Sequence, residues 1–370
     1  MNDGSGPRRR LDPDVFRLPV EKIRSGWYSD AYFNFAKELL EAEGRHAHVT
    51  MQVFQKHHAA LGGIDEAIAL LKLCSGWQSA DDGGWQSGWQ DLDVRALYEG
   101  DEIAPYETVL TIAGDYALFA HLETVYLGCL ARRTLIMRNV REVVEAARGK
   151  QILFFPARHD HWLVQTGDGW AAHVAGAIGV STDAQASWWG GRGVGTVPHA
   201  LIAAYGGDTV AAAEAFAARF ADHVNVTVLV DFENDSVATA LAVADALGER
   251  LWGVRLDTSG TLVDRAVIAE MERLGDFDPT GVNMQLVRMV RSALDEAGHE
   301  RVKIVVSGGF DASKIRAFEQ AQAPVDVYGV GSSLVRGEND FTADVVLVEG
   351  KPAGKRGRPY RPNPRLEPVS

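Results

Sequence analysis

Cysteine is scarce in these 370 residues: only Cys74 and Cys129 occur, far apart in the chain. A disulfide-stapled fold, a cysteine-rich zinc site and thiol redox chemistry are not expected from so few, and a reducing compartment, the cytoplasm, is the expected setting. Positive charge is also short, with 37 Lys and Arg against 50 Asp and Glu and a formal net charge of -13. A surface that neutralises many phosphates needs a basic face, so no nucleic-acid partner is expected. No apolar run approaches the roughly 18 residues of a membrane span. Arg8, Arg9 and Arg10 lead into Leu11-Asp12-Pro13-Asp14 rather than an apolar signal core, so no membrane partner is expected either.

What is present is an ordinary globular composition, 46% hydrophobic and 24% charged, in a chain long enough for roughly two to three domains. The first part is mixed in type. Helical periodicity covers residues 31–43 and 64–74, Val49, Met51 and Val53 alternate like a half-buried strand, and strand-like pieces recur at 94–98 and 109–112. A long helix is expected over 116–147 with a break near Gly128. A near-repeat, Gly76-Trp77-Gln78-Ser79, Gly84-Trp85-Gln86-Ser87 and Gly88-Trp89-Gln90, reads as a long surface loop packing its own aromatic rings.

After Gly149 short runs rich in β-branched residues appear at 152–155, 177–180, 194–197, 226–230, 252–256, 304–306 and 325–330, with helical segments between them. The helix after Asn283 is representative: Asn283 caps it, Leu286, Val287, Val290 and Leu294 form one stripe, and Gly298 ends it. Seven such βα units favour a closed or nearly closed α/β barrel. The expected organisation is a flexible tail over 1–18, a first domain over 19–150 joined by 336–370, and the barrel over 151–335. The last 20 residues hold five prolines and Lys351, Lys355, Arg356, Arg358, Arg361 and Arg365 against Glu367 alone, and read as a strap rather than a helix or central strand.

In α/β barrels the chemistry sits where strands end. Ser307-Gly308-Gly309 follows one strand, and Gly329-Val330-Gly331-Ser332-Ser333 closes the next. Glycines there let backbone N–H groups approach phosphate oxygens, so a phosphate cradle is the strongest physical signal. Arg255 and Asp257 flank Leu256 and point the same way; they suit either a diphosphorylated sugar or a simple ion pair. Asp231, followed by Glu233 and Asp235, repeats the arrangement one strand earlier. His199 after Gly195-Thr196-Val197-Pro198 suits a base, a nucleophile or a structural donor. Arg158 and Thr182 also fall at strand ends, and Arg158 suits bidentate binding of a carboxylate. His159, Asp160 and His161 lack metal-ligand spacing.

These strand-end residues resemble the nicotinate phosphoribosyltransferases and their nicotinamide and quinolinate relatives. The resemblance runs through Glu99-Gly100-Asp101, Ala104-Pro105, Glu107, Leu122-Glu123-Thr124, Phe155-Pro156-Ala157-Arg158, Gly195-Thr196-Val197-Pro198-His199, Val230-Asp231, Val254-Arg255-Leu256-Asp257-Thr258-Ser259-Gly260, Ser307-Gly308-Gly309 and Tyr328-Gly329-Val330-Gly331. It implies an N-terminal α/β sandwich domain plus the irregular α/β barrel of the type II phosphoribosyltransferases, in a homodimer with shared active sites. The implied reaction joins nicotinate to phosphoribosyl pyrophosphate, with Mg2+ on the pyrophosphate, in the synthesis of NAD. ATP is implied as co-substrate, phosphorylating His199. Phe155 and Tyr32 would sandwich the pyridine ring, with Arg158 on its carboxylate and Thr182 and Arg255 beside the substrates. Asp231 and Asp257 would face ribose hydroxyls or Mg2+, and Ser307, Gly308, Gly309, Gly329, Gly331 and Ser332 would hold the ribose phosphate. No other metal is expected, because the C-terminal region lacks the cysteine cluster of some relatives.

The chain departs from the family's pattern at His159, where many nicotinate enzymes carry a second arginine, and at Phe232-Glu233-Asn234-Asp235. The nearest rival is quinolinate as substrate, for which Arg192, Arg132 and Arg133 could supply extra charge. A silent sugar-phosphate-binding protein is the rival of another class.

Overall fold

The computed structural model describes residues 8–79, 81 and 83–370. The chain divides into two compact units, the first Met1–Arg138 with Gly337–Ser370 and the second Asn139–Arg336. The boundary falls inside the helix Glu123–Ala146.

The first unit is built on a six-stranded sheet in the order Lys351–Pro352, Thr342–Val348, His48–Phe54, Thr108–Asp115, Asp93–Ala96, Glu367–Pro368, every pair antiparallel. Val49, Met51 and Val53 join the core with the helix Ile64–Cys74, as their alternation predicts. The other face of that strand is not simply solvated. Gln52 is buried because it serves the strap's backbone, donating to the Pro359 carbonyl at 3.2 Å and accepting from the Arg361 N–H at 2.9 Å. Thr108 does the same, donating to the Arg361 carbonyl at 2.6 Å.

Three expectations need correction. Residues 8–18 are not a loose tail: Arg10 reaches Asp65 and the Leu97 and Ala96 carbonyls, and Phe16 is buried; residues 1–7 lie outside the described ones. Residues 116–122 form two short 3-10 turns, Tyr116–Leu118 and Ala120–Leu122, before one unbroken helix, Glu123–Ala146. Gly128 does not break it, since one glycine costs a helix only about 1 kcal/mol. The tryptophan repeat is a hairpin rather than a loop. Gly76–Gln78 pairs with Trp85–Ser87, and Arg24 lies 5.1 Å from the Trp85 ring.

In the second unit six parallel strands run in the order Thr227–Leu229, Gly253–Leu256, Lys303–Val306, Val327–Val330, Gln151–Phe154, Gly179–Val180. The expected seventh strand, 194–197, is irregular. Val194 N–H donates to the Val180 carbonyl at 2.7 Å and Val197 N–H to the Thr227 carbonyl at 2.9 Å, so this segment touches both edge strands and completes the ring without a regular ladder. The helix Met284–Glu296 behaves as its sequence predicts: Asn283 accepts the Leu286 N–H at 2.9 Å, and Leu286, Val287, Val290 and Leu294 are buried.

Candidate active site

A cavity of about 760 Å3 opens at the C-terminal ends of the second unit's strands. Phe155, Arg158, Thr182, His199, Arg255, Asp257, Ser307, Gly308, Gly309, Gly329, Gly331 and Ser332 all line it. The volume is in the range of small-molecule sites. Strand ends gather these residues because a parallel barrel aims every strand the same way.

The centre is a chain of hydrogen bonds. Arg255 Nε donates to Ser307 Oγ at 2.7 Å, and Ser307 Oγ donates to Asp257 Oδ1 at 2.6 Å. Arg255 also reaches Thr196 Oγ1 at 3.3 Å and Asp257 Oδ2 at 3.5 Å. The expected Arg255–Asp257 ion pair therefore exists, but Ser307 carries its short link. Burial pushes the Arg255 pKa down, and Asp257 and Asp231 push it back. The guanidinium lies 5.2 Å from the Phe155 ring centroid. The sequence assigns Thr196 no role, and its only signal is its place in the strand end just before Pro198 and His199.

Phe155 is seated by a glycine. A Cβ on Gly329 would meet the Phe155 ring at 3.0 Å, and one on Gly331 would meet the His159 ring at 2.9 Å. Gly308 and Gly309 have φ of 85° and 73°, the left-handed region that glycine enters without strain. The helix Ala312–Gln320 follows, with Asp311 accepting the Lys314 N–H at 2.8 Å.

Asp231 stands behind the lining rather than in it, with its Oδ1 2.9 Å from His199 Nε2. Burial raises the Asp231 pKa, and His199 pulls it back. A carboxylate on Nε2 fixes the tautomer with the proton there and leaves Nδ1 as the basic nitrogen. His199 is 43% exposed. Thr182 is committed elsewhere: its hydroxyl donates to Gln165 Oε1 at 2.9 Å and accepts the Gln185 N–H at 3.1 Å, closing a capping box. Tyr32 belongs to the first unit, on the helix Ala31–Ala42, with its ring exposed. The His159 pKa is lowered by burial and by Arg158 and Arg336.

No group of three His, Cys, Asp or Glu suited to a metal occurs among the described residues. Asp257, a carboxylate of the lining, would suit a magnesium ion that arrives on a diphosphate, since Mg2+ takes one or two carboxylates and completes its shell with phosphate oxygens and water, whereas Asp231 is taken by His199.

Residues 30–134 match the family described as quinolinate phosphoribosyl transferase, N-terminal domain. The chain is 34% identical over 281 residues to nicotinate phosphoribosyltransferase pncB1 of Mycobacterium tuberculosis, covering 74% of this chain and 57% of that protein. It thus spans little more than half the length of that relative. A solved structure of nicotinate-nucleotide pyrophosphorylase from Pyrococcus furiosus superposes with a TM-score of 0.75 at 32% identity, covering 97% of this chain and 82% of that one. This chain belongs to the type II phosphoribosyltransferases, the family of that pyrophosphorylase. Human nicotinic acid phosphoribosyltransferase, 18% identical with a TM-score of 0.65 over 90% of this chain and 77% of that one, shares the fold. The type II phosphoribosyltransferase fold expected from the motifs is therefore the fold observed. No helix among the described residues is long and apolar enough to cross a membrane.

Proposed function

We propose that the cavity joins nicotinate to phosphoribosyl pyrophosphate, giving nicotinate mononucleotide and pyrophosphate for NAD synthesis in the cytoplasm. The observation that carries this reading is the seat of Phe155: an aromatic shelf fixed against Gly329, with Arg255 beside it and exposed Arg158 in the same lining. A flat anionic ring finds there both a stacking face and a bidentate carboxylate partner. The Mycobacterium tuberculosis and human relatives are named for the same substrate, while the matching family model is named for quinolinate. Arg133, a candidate for the extra charge quinolinate needs, is buried against Glu66 at 3.0 Å, and Arg192 is not among the lining residues.

The pyridine nitrogen already has a free lone pair, so the reaction needs no strong base. Its N–C1′ bond forms as the C1′–O bond breaks and the electron pair leaves on pyrophosphate. Catalysis then rests on positioning and charge. Asp257, oriented by Ser307, faces the cationic ribosyl centre or its hydroxyls, and the glycine turns at 307–309 and 329–331 hold the 5′-phosphate. Magnesium, when bound, neutralises the leaving pyrophosphate. Tyr32 supplies the second face of the ring sandwich from another copy in a shared-site homodimer; Tyr32, Phe35 and Leu39 are exposed at helical spacing on Ala31–Ala42, and Tyr28 is exposed in the turn before it. ATP couples through His199: Nδ1 takes the γ-phosphoryl group, the Pγ–O bond breaks, and ADP leaves with the electron pair.

Purified protein with phosphoribosyl pyrophosphate and magnesium, offered nicotinate, nicotinamide or quinolinate in turn, tests the reading by pyrophosphate release. Nicotinate is expected to be used. Release with quinolinate alone moves the substrate, and none with any acceptor leaves a binding protein. His199→Ala is expected to lose ATP stimulation and acid-labile labelling from ATP while keeping slow ATP-independent synthesis. Equal labelling of both proteins would overturn the phosphoryl role.

A further inference from the structure

Arg158 is exposed on the short turn Ala157–His159, and its guanidinium makes no hydrogen bond or ion pair among the described residues. Its aim is therefore set by the backbone that carries it. Two backbone bonds hold that turn: Phe155 N–H donates to the Val330 carbonyl at 2.8 Å, and His159 N–H donates to the Pro156 carbonyl at 2.7 Å. The third bond comes from a side chain. Gln165, the first residue of the helix Gln165–Val174, donates from Nε2 to the Ala157 carbonyl at 3.2 Å. That carbonyl belongs to the peptide joining Ala157 to Arg158, so the bond fixes the plane from which Arg158 projects.

The other end of the Gln165 amide is tied to a rigid point. Its Oε1 accepts the Thr182 hydroxyl at 2.9 Å, whose own oxygen already accepts the Gln185 N–H at 3.1 Å. Gln185 is 1% exposed, and its Oε1 accepts the Ser181 N–H at 3.0 Å and the Thr182 N–H at 3.2 Å. Packing locks the same place: a Cβ on Gly193 would stand 2.8 Å from Thr182 Cα, and one on Gly169 2.1 Å from the Gln185 carbonyl oxygen. Gly169 lies four positions after Gln165 on the same helix face, so it lets that face approach closely enough for the glutamine to reach. An amide suits this span because it offers a donor at one end and an acceptor at the other. A carboxylate of the same shape offers acceptors only.

We propose that Gln165 is a positioning residue for the carboxylate of the acceptor ring: it ties the Ala157–Arg158 peptide to the fixed strand end at Thr182, and so aims Arg158 and makes the site choose an acid over its amide. The inference rests on the reading that Arg158 holds that carboxylate. A bidentate contact needs the guanidinium edge in line with two oxygens, and it tolerates little rotation of the peptide plane beneath it. A neutral amide acceptor gains no such charged pair and has less to lose when the turn is loosened.

Steady-state kinetics on Gln165→Leu, which removes both bonds, and Gln165→Glu, which sets a carboxylate oxygen against the Ala157 carbonyl, test this. In both variants the KM for nicotinate is expected to rise about tenfold, and the preference for nicotinate over nicotinamide, as the ratio of kcat/KM values, to fall about tenfold. The KM for phosphoribosyl pyrophosphate should move less. Thr182→Ser keeps the hydroxyl and is expected to retain the wild-type preference. Arg158→Gln separates the two readings. If it leaves the nicotinate KM unchanged, the carboxylate assignment falls and this inference with it. If it raises that KM while both Gln165 variants keep the wild-type value, Arg158 is aimed without Gln165 and this inference falls alone. A uniform rise in KM for all three substrates with a lower melting temperature would make Gln165 a structural residue of the barrel and also overturn the proposal.

Discussion

Carboxyl groups partly or wholly withdrawn from solvent occur in both units, and the two sets are answered differently. In the first unit Glu99 accepts the Gly63 N–H at 3.1 Å and the Asp65 N–H at 3.2 Å, and Asp65 in turn accepts from Arg10 and from the Leu11 N–H. Every partner is part of the protein, and the cluster ties residues 8–18 and the start of the helix Ile64–Cys74 together. In the second unit Asp257 is held by one serine and a long contact to Arg255, at the wall of an open cavity. The contrast separates carboxylates whose acceptor capacity is satisfied internally from one that keeps capacity for a ligand.

The largest expected effect comes from breaking the second kind. Asp257→Asn keeps the shape and can keep the Ser307 hydrogen bond, but removes the charge facing the ribosyl centre. Turnover is expected to fall by about 10²–10³-fold, the scale of removing one electrostatic stabiliser, with the melting temperature nearly unchanged. Steady-state kinetics and a thermal melt decide it. A large drop in melting temperature with normal turnover per folded molecule would put Asp257 among the structural carboxylates.

Glu99 sharpens the comparison from the other side. Packing around its carboxyl, and then the charge of Asp65, push its pKa up to about 8. The folded state thus holds the proton more tightly than the unfolded chain does. Stability from this group is therefore complete at pH values below the ordinary carboxyl range and is lost as pH rises towards about 8. Glu99→Gln can accept only one of the two N–H groups and is expected to cost about 1–3 kcal/mol near pH 5. That cost should shrink as pH rises, because the wild type loses stability there and the variant does not. Melting curves from pH 5 to above 8 check the sign, and turnover per folded molecule should not change.

Much of this was legible in the sequence because the barrel repeats one local rule. Short β-branched runs followed by Pro, Gly, Asp or Ser mark strand ends, and geometry then gathers those ends in space, so that Arg158, Thr182, His199, Arg255, Asp257 and the glycine turns share one cavity. What was not legible depended on contacts between distant segments. Asp231 and His199 were both singled out, but their 2.9 Å contact, which places Asp231 behind the wall, joins residues from separate βα units. Gln52 has the appearance of a solvated residue in an alternating strand until the strap covers it. The seventh strand has β-type residues, yet 194–197 pairs too sparsely to form a ladder. Arg10 is an arginine in a charged run until Asp65, 55 positions later, receives it.

The smallest expected effects come from a pair of glycines that divide in the same way as the carboxylates. Gly128 lies exposed in the helix Glu123–Ala146, where an added Cβ meets nothing within 4 Å and no left-handed φ is required. Gly128→Ala should therefore stabilise the protein by up to about 1 kcal/mol through helix propensity alone, seen as a small rise in melting temperature with unchanged kinetics. Gly329 is packed to the limit: an added Cβ would stand 3.0 Å from the Phe155 ring, so alanine must push that shelf towards the cavity. Gly329→Ala should raise the KM for the aromatic acceptor by about tenfold, equivalent to about 1.4 kcal/mol, while the KM for phosphoribosyl pyrophosphate moves less. If Gly329→Ala instead leaves the acceptor KM alone and only lowers the melting temperature, Phe155 is a core residue at the cavity's edge and not the seat of the ring.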